Sequence, residues 1–436
     1  MPPISLSYIK EKWQHAGFQK YLKNTGWMFG GRVFSLVVSL FVSIFIARKL
    51  GPEQYGTLNF IISFVSIAGF TLFAIDSLLI KKLNNEPENT NKILGSALLI
   101  KLINSFFTII ASTVAALFFA HNQSTTFLIL IYSTFSIFQS FNIVDFYFQT
   151  HAKNKPISLM TISTGLISSI TKLLIVIYGL PIIYLLLSYV FDHLINATGY
   201  AYLYKKYVDR LNWRPTKKLL HYFIINSWPF SLSAVAASIY IRIDQIFIKV
   251  LMGSEAVGIY AIAVRFSEVW FFISSVICAS LLPAILNAQK TNHDLFLARS
   301  KKLYTLLFYS ALLISIFIFM IAPNIINSFY GTSYINSVPI LRIYIWSIIG
   351  VFVGTALQHF LLAQNKFKTI LSFNITGMLI TLILNYLLIP MYGIKGAAIA
   401  NIFAYSLPFL IIISLKGLRE QRKAFISAIF RPFHND

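Results

Sequence analysis

The chain is written in long apolar runs separated by short polar seams. Twelve stretches reach about the 20 apolar residues that a helix needs to cross a bilayer core: 27–47, 57–80, 93–119, 126–148, 158–178, 182–204, 221–251, 256–287, 303–324, 338–363, 369–391 and 395–415. This pattern predicts an all-α polytopic membrane protein with 12 transmembrane helices in two six-helix lobes. The expected organisation is a cytoplasmic amphipathic segment at 1–26, an N-terminal lobe at 27–204, a basic linker at 205–220, a C-terminal lobe at 221–415 and an amphipathic tail at 416–436. At both ends apolar residues alternate with cations: Ile9, Trp13, Phe18 and Tyr21 with lysines, then Leu418, Phe425, Ile426, Ile429 and Phe430 with arginines. Helices of that kind suit the inner leaflet surface.

An internal echo makes the two lobes pseudo-symmetric. Residues 44–56 and 246–258 share 6 of 13 positions at a constant shift of 202. The Ile and Phe matches are cheap in so apolar a chain. The Gly-x-Glu-x-x-Gly match, Gly51/Glu53/Gly56 against Gly253/Glu255/Gly258, is not, because acidic residues are scarce: 14 in 436. Tyr178-Gly179 and Tyr392-Gly393 give a second, weaker echo. With six runs per half, both halves enter the membrane in the same direction, so the repeat is parallel, about an axis along the membrane normal.

Composition agrees. Of the 436 residues 57% are hydrophobic and 11% charged, against about 25% charged in soluble domains. The net charge of +22 would suggest nucleic acid in a soluble chain, but its placement argues otherwise. One set of seams and the two ends hold 26 Lys and Arg; the opposite seams hold Arg48, Lys49, Lys249 and Lys395. Cytoplasmic loops of membrane proteins carry such an excess, which puts both termini inside and makes most of the charge topogenic. The expected partners therefore include membrane lipids and exclude nucleic acid. No cleavable signal peptide is expected before Trp27, and the single Cys278 leaves no cysteine cluster for a metal.

Six cations fall inside the runs: Arg32, Lys101, Lys172, Arg242, Arg265 and Arg342. Arg342, one turn from a helix end, can snorkel. The others cost several kcal/mol unless they face protein or water. Arg242 and Arg265 each lie nine residues from the second echo turn, about 14 Å deep at 1.5 Å per residue. Asp244 points away from Arg242 on its helix, whereas Glu268 shares a face with Arg265. Arg32 and Asp76, each about 20 residues from the first echo turn, suit pairing near the cytoplasmic end, and Asp192 and His193 sit mid-run. Two readings stand: salt bridges that fix helix packing, or a wet cationic cavity that receives an anion such as phosphate. Under the second, Arg32, Lys101, Lys172, Arg242 and Arg265 bind substrate, and Asp76, Asp192, Asp244 or Glu268 carries a coupling proton or sodium ion. Neutral polar residues also intrude, among them Asn104, Gln139, Asn142, Asn196, Gln245, Gln358, His359, Asn374, Asn385 and Asn401. They serve as interhelical glue or as partners for sugar hydroxyls. No catalytic constellation, metal motif or Gly-rich nucleotide loop is visible, so neither an enzyme nor a cofactor is expected.

Three segments carry a resemblance to a known family: Ala47–Gly56; Pro229–Ser233 through Arg242-Ile243-Asp244-Gln245 to Val257–Ala261 and Arg265; and Tyr392–Ala398. With them the chain resembles the polysaccharide-exporting branch of the multidrug/oligosaccharidyl-lipid/polysaccharide transporter superfamily, and within it an O-antigen-type flippase. The resemblance implies two six-helix lobes around a cationic cavity, and a substrate that is an undecaprenyl-diphosphate-linked oligosaccharide. That substrate would cross the bacterial inner membrane by alternating access. It also implies a polysaccharide polymerase and a chain-length regulator as partners; a monomer is expected, since the repeat supplies both lobes. Arg242 and Arg265 carry over from the family's pattern; Arg32, Lys101 and Lys172 are read from position. A multidrug or cation antiporter of the same fold is the nearest alternative, favoured by an acidic cavity. A membrane glycan polymerase is a further one, which would need a sizeable outward loop.

Overall fold

The computed structural model describes residues 16–68, 73–119, 122–151, 153–208, 212–364, 366–414 and 418–431. Eighteen α-helices follow in order: α1 Ala16–Ala68, α2 Asp76–Asn85, α3 Thr90–Phe119, α4 Gln123–Ser133, α5 Phe135–Gln139, α6 Ile143–Thr150, α7 Asn154–Ile177, α8 Ile182–Tyr207, α9 Lys217–Met252, α10 Ser254–Glu268, α11 Phe271–Thr291, α12 His293–Ile325, α13 Ser337–Tyr344, α14 Ser347–Ala363, α15 Phe367–Tyr392, α16 Ile394–Tyr405, α17 Leu407–Ser414 and α18 Arg419–Phe430. Among the described residues ten helical segments are long and apolar enough to cross a membrane. The protein is thus an all-α, multi-pass membrane protein. Twelve spans were expected from the runs. The first two share one such segment, Val33–Ile67, which bends at Gly51. The helix α9, with Arg242, Asp244 and Lys249 along it, is not among the ten.

Contacts divide the chain into two units: Met1–Ser43 with Leu72–Trp228, and Ile44–Thr71 with Pro229–Asp436. In the first unit, α3 packs on α4, and α8 packs on α5 and α7. Small residues let backbones approach: a β-carbon at Gly95 would collide with the main chain of Trp213 and Arg214. The Ser105 hydroxyl bridges to the Ser136 carbonyl at 2.7 Å, the glue that polar residues provide between membrane helices.

The second unit contains both copies of the echo. Gly51 and Gly253 break their helices with φ of 74° and 88°, a left-handed backbone that glycine adopts without steric cost. Five residues on, the copies interlock. A β-carbon on Gly56 would overlap the Ser254 carbonyl, and one on Gly258 would overlap the Pro52 carbonyl. Each glycine therefore takes the other copy's backbone. Thr57 Oγ1 donates to Ser254 Oγ at 3.1 Å, and the Lys249 ammonium bonds the same hydroxyl. Tyr334 caps the arrangement by donating to the Ala47 carbonyl at 2.8 Å. Burial raises its phenol well above the usual range, which keeps it a donor.

The tail read as lying on the leaflet is docked on protein along one face. In α18, Gln421, Ala424, Phe425 and Ala428 are buried, and Phe425 lies 5.5 Å from the rings of both Tyr304 and Phe409. Ile426 and Phe430 stay exposed, free for lipid. Phe425→Ala is expected to cost about 3–5 kcal/mol, the usual price of an emptied aromatic site, read as a lower unfolding midpoint in detergent.

Candidate functional site

In the second unit, helices α9, α10, α11, α14, α15, α16 and α17 line an open cavity of about 460 Å³. Its charged lining is one ion pair. Arg242 of α9 forks onto Glu268 at the end of α10, Nη1 to Oε1 at 3.2 Å and Nη2 to Oε2 at 3.1 Å. Two parallel N–H···O bonds between a guanidinium and a carboxylate are directional as well as charged. Neither partner is sealed, with 29% and 17% of their side chains accessible. Around them stand Thr355, Gln358, Asn374, Tyr240 and Tyr405. Tyr240 is fixed by donating to the Ala404 carbonyl at 2.9 Å, and Asn374 by donating to Ser233 Oγ at 2.7 Å.

Two residues along α9, Asp244 faces the opposite way, as its helical spacing requires. It is buried and held by hydrogen bonds. Oδ1 accepts the Gln245 N–H at 2.7 Å; Oδ2 accepts the Tyr260 hydroxyl at 2.5 Å and Asn401 Nδ2 at 2.9 Å. Gln245 in turn accepts Ser63 Oγ at 2.9 Å. The Asn401 Oδ1 is buried with no hydrogen-bond partner among the described residues. A buried carboxylate beside a spare amide oxygen offers oxygen ligands of the kind a small cation takes, or a seat for a proton.

The first unit holds two further clusters. Lys101 lies 2.6 Å from Asp76 Oδ1 and 2.7 Å from Asn142 Oδ1, over the ring of Phe146. Lys172 lies 2.5 Å from Asp192 Oδ2 and 2.7 Å from Ser168 Oγ, with its ammonium 3.9 Å from the centre of the Tyr189 ring. His193, next to Asp192, packs against Phe135 at 4.8 Å.

Set beside the sequence, the structure brings together Arg242 with Glu268, Lys101 with Asp76 and Lys172 with Asp192. The surplus of interior cations is thereby largely matched by interior acids, as the cost of an unpaired charge in a membrane demands. The spacing offered Arg265 to Glu268, where the helix packing delivers Arg242, and the packing also brings Lys101 to Asp76. The side chain of Arg32 lies outside the described residues. Arg265 is half-buried in the last turn of α10 and is not among the residues that line the cavity. Sequence reasoning missed Thr355, Tyr240 and Tyr405 as cavity walls. Their only signal was being polar or amphipathic within apolar runs, which dozens of other tyrosines and threonines share.

Comparison with known proteins agrees with this architecture. Residues 21–289 match the family described as polysaccharide biosynthesis protein, and residues 229–387 match the MatE family. A capsular polysaccharide biosynthesis protein, CapF of Staphylococcus aureus, is 22% identical over 388 residues, covering 87% of this chain and 94% of that protein. An uncharacterized membrane protein of Methanocaldococcus jannaschii is 28% identical over 268 residues, 58% of this chain and 59% of its own length. Among solved structures, an inward-facing multidrug resistance MATE transporter of the MOP superfamily superposes with a TM-score of 0.73 at 13% identity, over 91% of this chain and 95% of that one. The lipid II flippase MurJ in an inward closed conformation gives 0.67 at 18% identity, over 93% and 92%. These two likenesses establish the fold.

Proposed function

Because the chain belongs to the polysaccharide biosynthesis protein family, we propose that it is a flippase for a lipid-diphosphate-linked oligosaccharide, an undecaprenyl-diphosphate repeat unit of a surface polysaccharide. The protein is a membrane transporter rather than an enzyme, in keeping with its family and its MATE and MurJ neighbours. The observation that carries the reading is the Arg242–Glu268 fork in the wall of the cavity, with Thr355, Gln358 and Asn374 beside it. A guanidinium that grips a carboxylate with two hydrogen bonds can grip a phosphate in the same way. Gln358, Asn374 and Thr355 offer donors and acceptors for sugar hydroxyls.

The pair also suggests the coupling. A phosphate that takes Arg242 leaves Glu268 without its partner, open to a coupling proton in the guanidinium's place. Substrate release would restore the fork and expel the proton. Asp244 is the second coupling candidate, held apart from Arg242 by Tyr260 and Asn401. In this scheme the substrate passes from the cytoplasmic to the outer leaflet of a bacterial inner membrane by alternating access, with both termini cytoplasmic as the Lys and Arg asymmetry requires.

Proteoliposomes with the lipid-linked oligosaccharide on one leaflet test this. Wild type is expected to move it faster under a proton or sodium gradient. Glu268→Gln and Asp244→Asn are then measured with and without the gradient. Loss of the gradient's effect in one variant, with basal movement retained, identifies the coupling carboxylate. If both keep the full gradient response, neither couples. If the wild type ignores the glycolipid but expels cationic drugs, the antiporter reading suggested by the MatE match takes its place.

A further inference from the structure

A second cavity adjoins the first in the same unit. It measures about 430 Å³ and lies along α15 and α17. From α15 it is lined by Lys368, Thr369, Ser372, Phe373 and Thr376, and from α17 by Leu410, Ile411 and Ser414. Lys368, Ser372 and Thr376 follow at intervals of four, so they share one helix face. Phe373 lines both cavities, while its neighbour Asn374 looks into the one holding Arg242.

The chemistry of this groove is one-sided. It contains a cation and four hydroxyls, and no carboxylate lines it. Two hydroxyls nearby turn back on the carbonyl four residues earlier: Thr381 donates to Gly377 at 2.8 Å and Ser406 to Ile402 at 2.7 Å. The side chains of Thr369, Ser372, Thr376 and Ser414 make no such bond among the described residues, and Lys368 forms no ion pair among them. Beside these donors the same groove has apolar surface from Phe373, Leu410 and Ile411, with Leu410 61% exposed. A lysine is a point-charge binder of phosphate, and hydroxyl donors complete an oxyanion's shell. A free anion would have no use for the apolar surface, and a cationic drug would need an acid. An amphiphile with a phosphate head beside a hydrocarbon chain uses both.

We propose that this groove is a separate docking site for the diphosphate head of a polyprenyl carrier, occupied before the head reaches Arg242. The proposal rests on the flippase reading. Lys368 and the hydroxyls hold the diphosphate, and the first prenyl units lie on Leu410 and Ile411. Phe373 divides this site from the Arg242 cavity. Asn374, which lines the Arg242 cavity, lies six residues on from Lys368, about 9 Å along the helix.

The test measures binding to the full-length protein in detergent, by native mass spectrometry. The probes are undecaprenyl diphosphate without glycan, phosphatidylglycerol and inorganic pyrophosphate. The wild type is expected to retain undecaprenyl diphosphate, and Lys368→Ala with Ser372→Ala and Thr376→Ala to weaken it at least tenfold. Leu410→Ser is a second variant, directed at the apolar surface, and should weaken the lipid without changing any binding of pyrophosphate. All four positions are accessible, and an unchanged unfolding midpoint verifies that each variant folds. Equal binding of phosphatidylglycerol and undecaprenyl diphosphate would overturn the assignment in favour of a general lipid contact. So would an unchanged affinity in the triple variant. In flipping assays the triple variant should raise KM far more than it lowers kcat. A wild type that flips nothing defeats the functional reading, but the binding arm still decides the groove.

Discussion

Gly258→Val is expected to abolish accumulation of folded protein, and Gly56→Val to do nearly the same. A β-carbon at either position would meet a backbone carbonyl, that of Pro52 or of Ser254, within bonding range. Overpacking against a side chain costs typically 1–3 kcal/mol because the neighbour can swing away. A helix carbonyl cannot, so the two echo copies must separate. Separation disturbs a stretch whose Val257 is fully buried, and breaks the Thr57–Ser254 contact. We expect a loss above about 3 kcal/mol, seen as aggregation in size-exclusion chromatography and a collapsed unfolding midpoint. Gly165→Ala is the matched control. Gly165 is also helical, but no atom lies within 4 Å of an added β-carbon. Alanine there should be neutral, or stabilising by about 0.5–1 kcal/mol through its helix propensity. A Gly258→Val protein that melts with the wild type would mean that the interlock is wrong.

The same interlock shows what a sequence reveals and what it withholds. The Gly-x-Glu-x-x-Gly echo is visible because Glu is rare in this chain, and it marks the repeat. Its physical meaning, each glycine admitting the other's backbone, depends on a contact across about 200 residues that no periodicity encodes. Local geometry is legible: Arg242 and Asp244 lie two residues apart and do face different surroundings. Partner choice is not. Helical spacing brings Arg265 to Glu268, but both Glu268 oxygens are engaged by Arg242 from the adjacent helix. The contact of Lys101 with Asp76 is another that no helical spacing offered. The apolar runs locate the helices well, since apolarity is what the membrane selects. They count spans less well where one helix bends through a glycine or carries charges along its length.

Removing one member of the Arg242–Glu268 pair should harm stability and transport together, and removing both should separate the two. Glu268→Ala leaves a guanidinium without its carboxylate. For a fully buried pair that costs about 3–5 kcal/mol; with Arg242 29% accessible, water offsets part of it, and about 2 kcal/mol is expected. Arg242→Met alone strands Glu268 to a similar degree. The double variant Arg242→Met with Glu268→Met strands nothing, and replacement of an ion pair by apolar groups of similar size is often neutral. Its unfolding midpoint should return to near the wild-type value. Transport should not return, because no fork remains to grip a phosphate; a lost charge-assisted contact of about 1.5–3 kcal/mol corresponds to roughly a 10- to 150-fold drop in substrate affinity. If the double variant regains both its midpoint and its flipping rate, the pair is a packing device and the phosphate must be held elsewhere. If it regains the midpoint alone, the fork acts on substrate, and its structural role is the incidental one.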